Sequence, residues 1–175
     1  MIQSILLKVT LFDERVLNLL TPLYRFVSLK TFWKLVSRTG DGWFYPLAPL
    51  AVWAIESSEA WSFFSVLLVA YALDVPAYVF LKKIFKRQRP YQRMPSVENL
   101  AQPIDTFSFP SGHTAAASVF TVVLVAFFPS LLWLAVFWCA CVGFSRVFLG
   151  AHYLTDVLAG AFLGGALGQL SLFLI

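Results

Sequence analysis

Charge is scarce in this sequence. Asp, Glu, Lys and Arg make up 13% of its 175 residues, about half the share usual in soluble domains. The apolar share is 59%, against roughly 45–50% in soluble domains. So little charge cannot cover a water-facing globule of this size, which excludes an ordinary soluble fold. Cysteine is almost absent, with only Cys139 and Cys141. On a helix that spacing points the two side chains to different faces, which excludes a mutual disulfide and leaves them as small apolar packing residues. No cluster of His, Cys, Asp or Glu has metal-site spacing, so neither a metal nor another cofactor is expected. Residues 1–41 hold no apolar run long enough to cross a bilayer, and no cleavable signal peptide is evident. The run at 5–11 is broken by Lys8 and followed by Asp13, Glu14 and Arg15.

The formal net charge of +4 does not imply a nucleic-acid partner. Lys and Arg fall in a cluster over residues 82–93 and a spread over 8–38, with Arg146 alone in an apolar stretch. A basic cluster beside a membrane can bind head groups or set topology.

What is present is aromatic and aliphatic bulk, including 18 Phe and 6 Trp, which stays covered only if lipid is the solvent. Apolar stretches run over 43–55 (with Pro46 and Pro49), 61–81, 111–128, 131–149 and 157–175. The second would extend about 31 Å as a helix, the thickness of a hydrocarbon core. The expectation is an all-α polytopic transmembrane bundle of about five spanning helices. It forms a single domain over 1–175, with an amphipathic interfacial region at 1–41 and a helical core at 42–175. Trp43, Trp61 and Trp133 lie where interfacial anchors belong. Gly160, Gly164 and Gly168, four residues apart, suit close helix packing. Five crossings would bring 82–109 and 150–156 out on one side, where the polar residues converge.

Three segments carry the chemistry. Lys82 and Arg89 are two helical turns apart and share a face if the helix continues. They read either as an anion site or as plain interfacial cations. Pro110-Ser111-Gly112-His113 opens an apolar helix, whose free N–H groups and dipole favour an anion; the alternative is a plain helix start with an incidental His. His152 and Asp156 are spaced i to i+4. On a helix the carboxylate would accept from one imidazole nitrogen and leave the other free to attack, unless the pair is structural. Arg146, just upstream, is costly in an apolar stretch without a partner. Asp74 and Gln169 also fall in membrane segments; Asp74 could steady a basic residue of the site or form a structural hydrogen bond with a neighbouring helix, and the structural reading is favoured.

Together these residues resemble the type 2 phosphatidic acid phosphatase superfamily. Its signature is Lys-x6-Arg-Pro, then Pro-Ser-Gly-His, then Ser-Arg-x5-His-x3-Asp. Every fixed position is matched, in order: Lys82, Arg89, Pro90; Pro110, Ser111, Gly112, His113; Ser145, Arg146, His152, Asp156. The resemblance covers about residues 42–175, without the first membrane helix of six-helix members. It implies a metal-independent lipid phosphatase or diphosphatase working through a phosphohistidine. His152 would be the nucleophile, Asp156 its orienting partner and His113 the acid for the leaving oxygen. Lys82, Arg89, Ser111, Gly112 and Arg146 would hold the phosphate. His152 must be neutral to attack and His113 charged to donate, so their surroundings should differ. The partners implied are the bilayer and a lipid phosphate: undecaprenyl diphosphate first, then phosphatidylglycerol phosphate, phosphatidic acid or a lipid A phosphate. The expected location is the cytoplasmic (inner) membrane with the site at its outer face. Alternatives are a lipid phosphotransferase of the same family and a non-catalytic transporter or scaffold with a phosphate-binding vestibule.

Overall fold

A computed structural model describes residues 2–103 and 105–175, and they contain helices and no strands. The helices are α1 (Ile2–Leu20), α2 (Val27–Thr39), α3 (Leu47–Ile55), α4 (Ser57–Phe85), α5 (Pro90–Arg93), α6 (Gly112–Phe127), α7 (Leu132–Phe148) and α8 (Leu154–Leu174). Short 3-10 turns at Thr21–Arg25 and Pro129–Leu131 join neighbours.

Among the described residues, three helical stretches are long and apolar enough to cross a membrane: Ser58–Arg93, Pro129–Phe148 and Leu154–Leu174. Gly112–Phe127 is a shorter apolar helix. The run at 43–55, expected to cross alone, is helical only over the nine residues of α3, about 14 Å at 1.5 Å per residue. Its leg is completed by α2. That helix runs inward along α7, with Trp33 against Phe144 and Phe148 and Thr39 accepting from the Trp138 indole. After the break at Gly40-Asp41-Gly42, α3 continues, packing Val52 into a core with Ala60, Phe63 and Val123. The chain therefore makes five antiparallel legs, the first a broken pair. Non-helical backbone at such depth is tolerated where it lines a cavity, as it does here.

Parts of the N-terminal region pack on the bundle. The last turn of α2 reaches Arg146 at the end of α7 through Ser37, and α1 packs at the same end of the bundle, where Asp13 accepts the Thr155 N–H of α8. Leu17 of α1 is fully buried among Met94, Val97, Val147 and Tyr153.

The α6–α8 seam is set by small residues. A Cβ at Gly160 would strike the Ser111 carbonyl, and one at Gly164 the Ala115 carbonyl. Gly168 sits against Val119 and Val122. Outward faces are apolar, with Trp133 and Phe162 each 80% exposed. Trp61 and Trp133 lie near the starts of α4 and α7 with exposed side chains, and Trp43 sits in the helix break stacked on Phe44.

Candidate active site

The ends of α4 and α7 and the starts of α6 and α8 meet at one end of the bundle. A cavity of about 1340 Å³ opens there, lined at its polar end by Lys82, Arg89, Gly112, His113, Arg146 and His152. The three segments singled out in the sequence converge on it, by routes that differ from the spacing arguments.

Lys82 and Arg89 do not share a helical face. The helix stops at Phe85, because Lys86 takes a left-handed conformation (φ 46°) and Arg89, which precedes Pro90, is extended. The two cations meet through a common partner instead. Lys82 Nζ donates to Asp105 Oδ1 at 3.2 Å and to the Phe107 carbonyl at 2.9 Å. Arg89 Nη2 donates to the same carboxylate oxygen. Burial pushes the Asp105 carboxyl up, but the Lys82 and Arg89 cations prevail and hold it below its ordinary value.

Nor do His152 and Asp156 stack along a helix. Gly150 turns the chain at φ +71°, where a Cβ would meet the Val97 side chain, and His152 precedes the first residue of α8. Asp156 sits in the first turn and caps it, accepting the Tyr153 N–H at 2.9 Å. A helix start needs such an acceptor. His152 Nδ1 is therefore 3.8 Å from Asp156 Oδ2, beyond a hydrogen bond, and pairs with the Ser108 carbonyl at 2.7 Å. A carbonyl only accepts and a guanidinium only donates. Nδ1 thus carries the proton, and Nε2 presents its lone pair to Arg89 Nη1 at 3.3 Å. Burial first, then the Arg89, Arg146 and Lys82 cations, hold this imidazole well below its ordinary value. It is neutral at pH 7, and its free nitrogen faces a cation that can grip a phosphate.

The remaining expected residues differ in what they face. Arg146 is buried, donates through Nη1 to Ser37 Oγ at 2.5 Å, and its Nε has no protein partner among the described residues. His113 pairs through Nε2 with Asp41 Oδ1 at 2.9 Å. Ser111 is turned from the cavity: its hydroxyl caps α6 with Thr114, 2.9 Å between hydroxyls, while its N–H donates to the Asp156 carbonyl. Ser145 bonds the Val142 carbonyl within its own helix. Asp74 is fully buried, yet neither carboxylate oxygen has a partner among the described residues; the expected bond to a neighbouring helix is not made.

Sequence reasoning missed Asp41, Ser37, Asp105 and Ser108. Asp41 alone carried a signal, an acid between two glycines in a helix break. The others contribute a single carboxylate, hydroxyl or carbonyl from segments with no pattern.

Below its polar end the cavity descends between α3 and α4, past Pro46, Pro49, Phe64, Leu68, Tyr71 and Val75. A charged group held at the top would have an apolar trough beneath it.

Comparison with known proteins agrees with this construction. Over 28% identity, 106 residues match the undecaprenyl-diphosphatase of Sulfolobus acidocaldarius, 60% of this chain and 52% of that one. A 28% identical match of 149 residues to the lipid A 4'-phosphatase of Bacteroides thetaiotaomicron covers 78% and 66%. The chain thus spans only about half to two thirds of these curated relatives. The crystal structure of a transmembrane PAP2 type phosphatidylglycerolphosphate phosphatase from Bacillus subtilis superposes with a TM-score of 0.76 at 26% identity, covering 95% of this chain and 86% of that one. Residues 59–174 match the family model of the PAP2 superfamily. With its apolar helices and membrane-embedded relatives, the chain is an integral membrane protein and belongs to the PAP2 superfamily.

Proposed function

We propose that the chain is a metal-independent phosphatase of lipid phosphates that works through a phosphohistidine on His152. The observation that carries this reading is the neutral imidazole of His152, with Nδ1 tied to a carbonyl and Nε2 facing Arg89, in a cavity shared with His113 and Arg146.

In the first step the substrate phosphate takes the place of the Asp105 carboxylate between Lys82 and Arg89, and Arg146 Nε gains an acceptor. Nε2 of His152 attacks phosphorus in line, the P–O bond to the lipid breaks, and His113 gives its proton to the leaving oxygen. The phosphoimidazole gains positive charge, which the Asp156 carboxylate 3.8 Å away stabilises without a direct bond. In the second step His113 takes a proton from water, the oxygen attacks phosphorus, and the P–N bond breaks. Inorganic phosphate leaves and His152 is again neutral. The cations stabilise the equatorial oxygens throughout.

The trough between α3 and α4 supports a substrate with an apolar tail. The named relatives act on an undecaprenyl diphosphate, a lipid A phosphate and a phosphatidylglycerol phosphate, so a diphosphate or monoester of a membrane lipid is proposed, undecaprenyl diphosphate first. Phosphate release from these lipids, presented side by side in detergent with a chelator, is the test. Release in the chelator is expected; no release overturns the reading in favour of a phosphate-binding vestibule, and release that requires a divalent metal overturns its metal independence.

We place the protein in the inner membrane with the cavity open to its outer face, as the resemblance implies. One observation favours the reverse. The turns at the opposite end carry Glu56 and Glu59 and no Lys or Arg, and the positive-inside rule puts such an end outside. Membrane-impermeant labelling of single cysteines placed at 95–102 decides between them.

A further inference from the structure

Arg87 lies inside the first signature segment at a position the signature leaves open, and the proposed reaction gives it no part. Its contacts are unlike those of an interfacial cation. Nη1 donates to Asp156 Oδ1 at 2.6 Å and to Thr155 Oγ1 at 2.8 Å. Nη2 donates to Asp13 Oδ2 at 2.7 Å. The guanidinium also covers the Tyr153 ring, 4.1 Å from its centroid. Both carboxylates are fully buried. Asp13 belongs to α1 and is fixed independently, accepting the Thr155 N–H at 3.1 Å.

The main chain completes the arrangement. The Arg87 carbonyl accepts the Ser108 N–H at 2.8 Å, and it is the Ser108 carbonyl that accepts from His152 Nδ1. One residue therefore holds both groups that face Nδ1, Ser108 through its backbone and Asp156 through its side chain. The Asp156 oxygen bound by Arg87 is Oδ1, which leaves Oδ2 for the Tyr153 N–H and for His152.

We propose that Arg87 is a positioning residue for His152, held in turn by Asp13, so that the N-terminal helix is a working part of the reaction centre. This rests on the reading of His152 as nucleophile. Without Arg87 two buried carboxylates lose their shared cation. Asp156 is then free to swing toward Nδ1, the Ser108 carbonyl is displaced, and Nε2 turns away from the phosphate site. Lysine in its place keeps the charge but cannot bridge Asp13, Thr155 and Asp156 in a planar fork.

The test uses the full chain in detergent and two readouts. Turnover per folded molecule is measured for Arg87→Lys, Arg87→Ala and Asp13→Asn. In parallel the imidazole nitrogen resonances are recorded; the two histidines are told apart with His113→Asn. Arg87→Lys is expected to lower kcat by roughly 10–100-fold, as loss of an outer orienting partner does, with KM changed less than about twofold. Its His152 Nδ1 and Nε2 signals should move while those of His113 stay. Asp13→Asn should do the same to a smaller extent. Unmoved His152 signals with turnover within about twofold in Arg87→Lys and Asp13→Asn would overturn the proposal and leave a structural ion pair, and these two variants decide the matter even if Arg87→Ala does not fold. If the native chain releases no phosphate but the Arg87→Lys resonances still move, the positioning stands and the phosphatase reading falls.

Discussion

The two imidazoles at the cavity are held by very different walls. His152 is almost fully buried, on a tight turn, with one nitrogen on a main-chain carbonyl and the other against Arg89. His113 is about one-third exposed (34%) and paired with a single carboxylate, Asp41, from the break between α2 and α3. One wall, built by the ends of α4 and α7 and the start of α8, fixes a neutral imidazole, the nucleophile of the proposed reaction. The other, built by a broken leg, gives the second histidine a single, partly exposed acidic partner and opens the path to the trough. Fixed geometry suits attack, and a proton that must be given and taken back suits the looser wall.

The comparison can be broken first at the histidines. His152→Asn is expected to lose at least ~10³-fold in turnover, and His113→Ala at least ~10², both read as phosphate release per folded molecule. Equal small losses would erase the distinction between nucleophile and acid. The seam under both walls is tested by Gly164→Ala. The new methyl meets the Ala115 carbonyl, and overpacking of this kind costs about 1–3 kcal/mol, so a clear drop in Tm is expected. Unchanged Tm would mean that α6 and α8 do not pack so closely.

The looser wall is sharpened by Asp41→Asn. The amide keeps the shape but removes the negative partner of His113, and a loss of about tenfold in kcat is expected. Asp105→Asn should act in the opposite direction. It removes the carboxylate that occupies Lys82 and Arg89, so a few-fold lower KM is expected, with tighter inhibition by inorganic phosphate; a higher KM would show that Asp105 helps to bind substrate.

The smallest effect is in acid. The folded chain holds His152 neutral, whereas the unfolded chain takes up a proton below about 6.5. The unfolded state then binds more protons, so this contribution to stability is complete above about pH 6.5 and is lost progressively below it. Asp105, depressed by its cations, acts in the same direction only below its unfolded value of about 4. Between pH 7.5 and 5.5, Tm in detergent should therefore fall less in His152→Asn than in the native chain.

The sequence showed the first wall and hid most of the second. Lys82, Arg89, His113, Arg146 and His152 were named from residue type and spacing with the family resemblance, and the cavity gathers them. The local reasons were less legible. Helical spacing implied a shared face for Lys82 and Arg89 and a direct bond from Asp156 to His152. A left-handed Lys86 and the turn at Gly150 replaced both, because helix ends are decided by caps rather than by periodicity. The broken first leg was hidden for a different reason. Neither α2 nor α3 is long or apolar enough alone, and only packing along α7 and α4 makes them one leg. Ser37, Asp41 and Asp105 matter through tertiary neighbours, which no local pattern records.

The proposed reaction passes through a covalent bond from phosphorus to His152. Rapid quenching of the native chain with a phosphorus-labelled lipid phosphate is expected to trap a phosphoenzyme that is labile in acid and stable in base, with the label on the peptide that carries residue 152 and absent from His152→Asn. A label on any other residue, or turnover with no trapped phosphoenzyme at all, would contradict it.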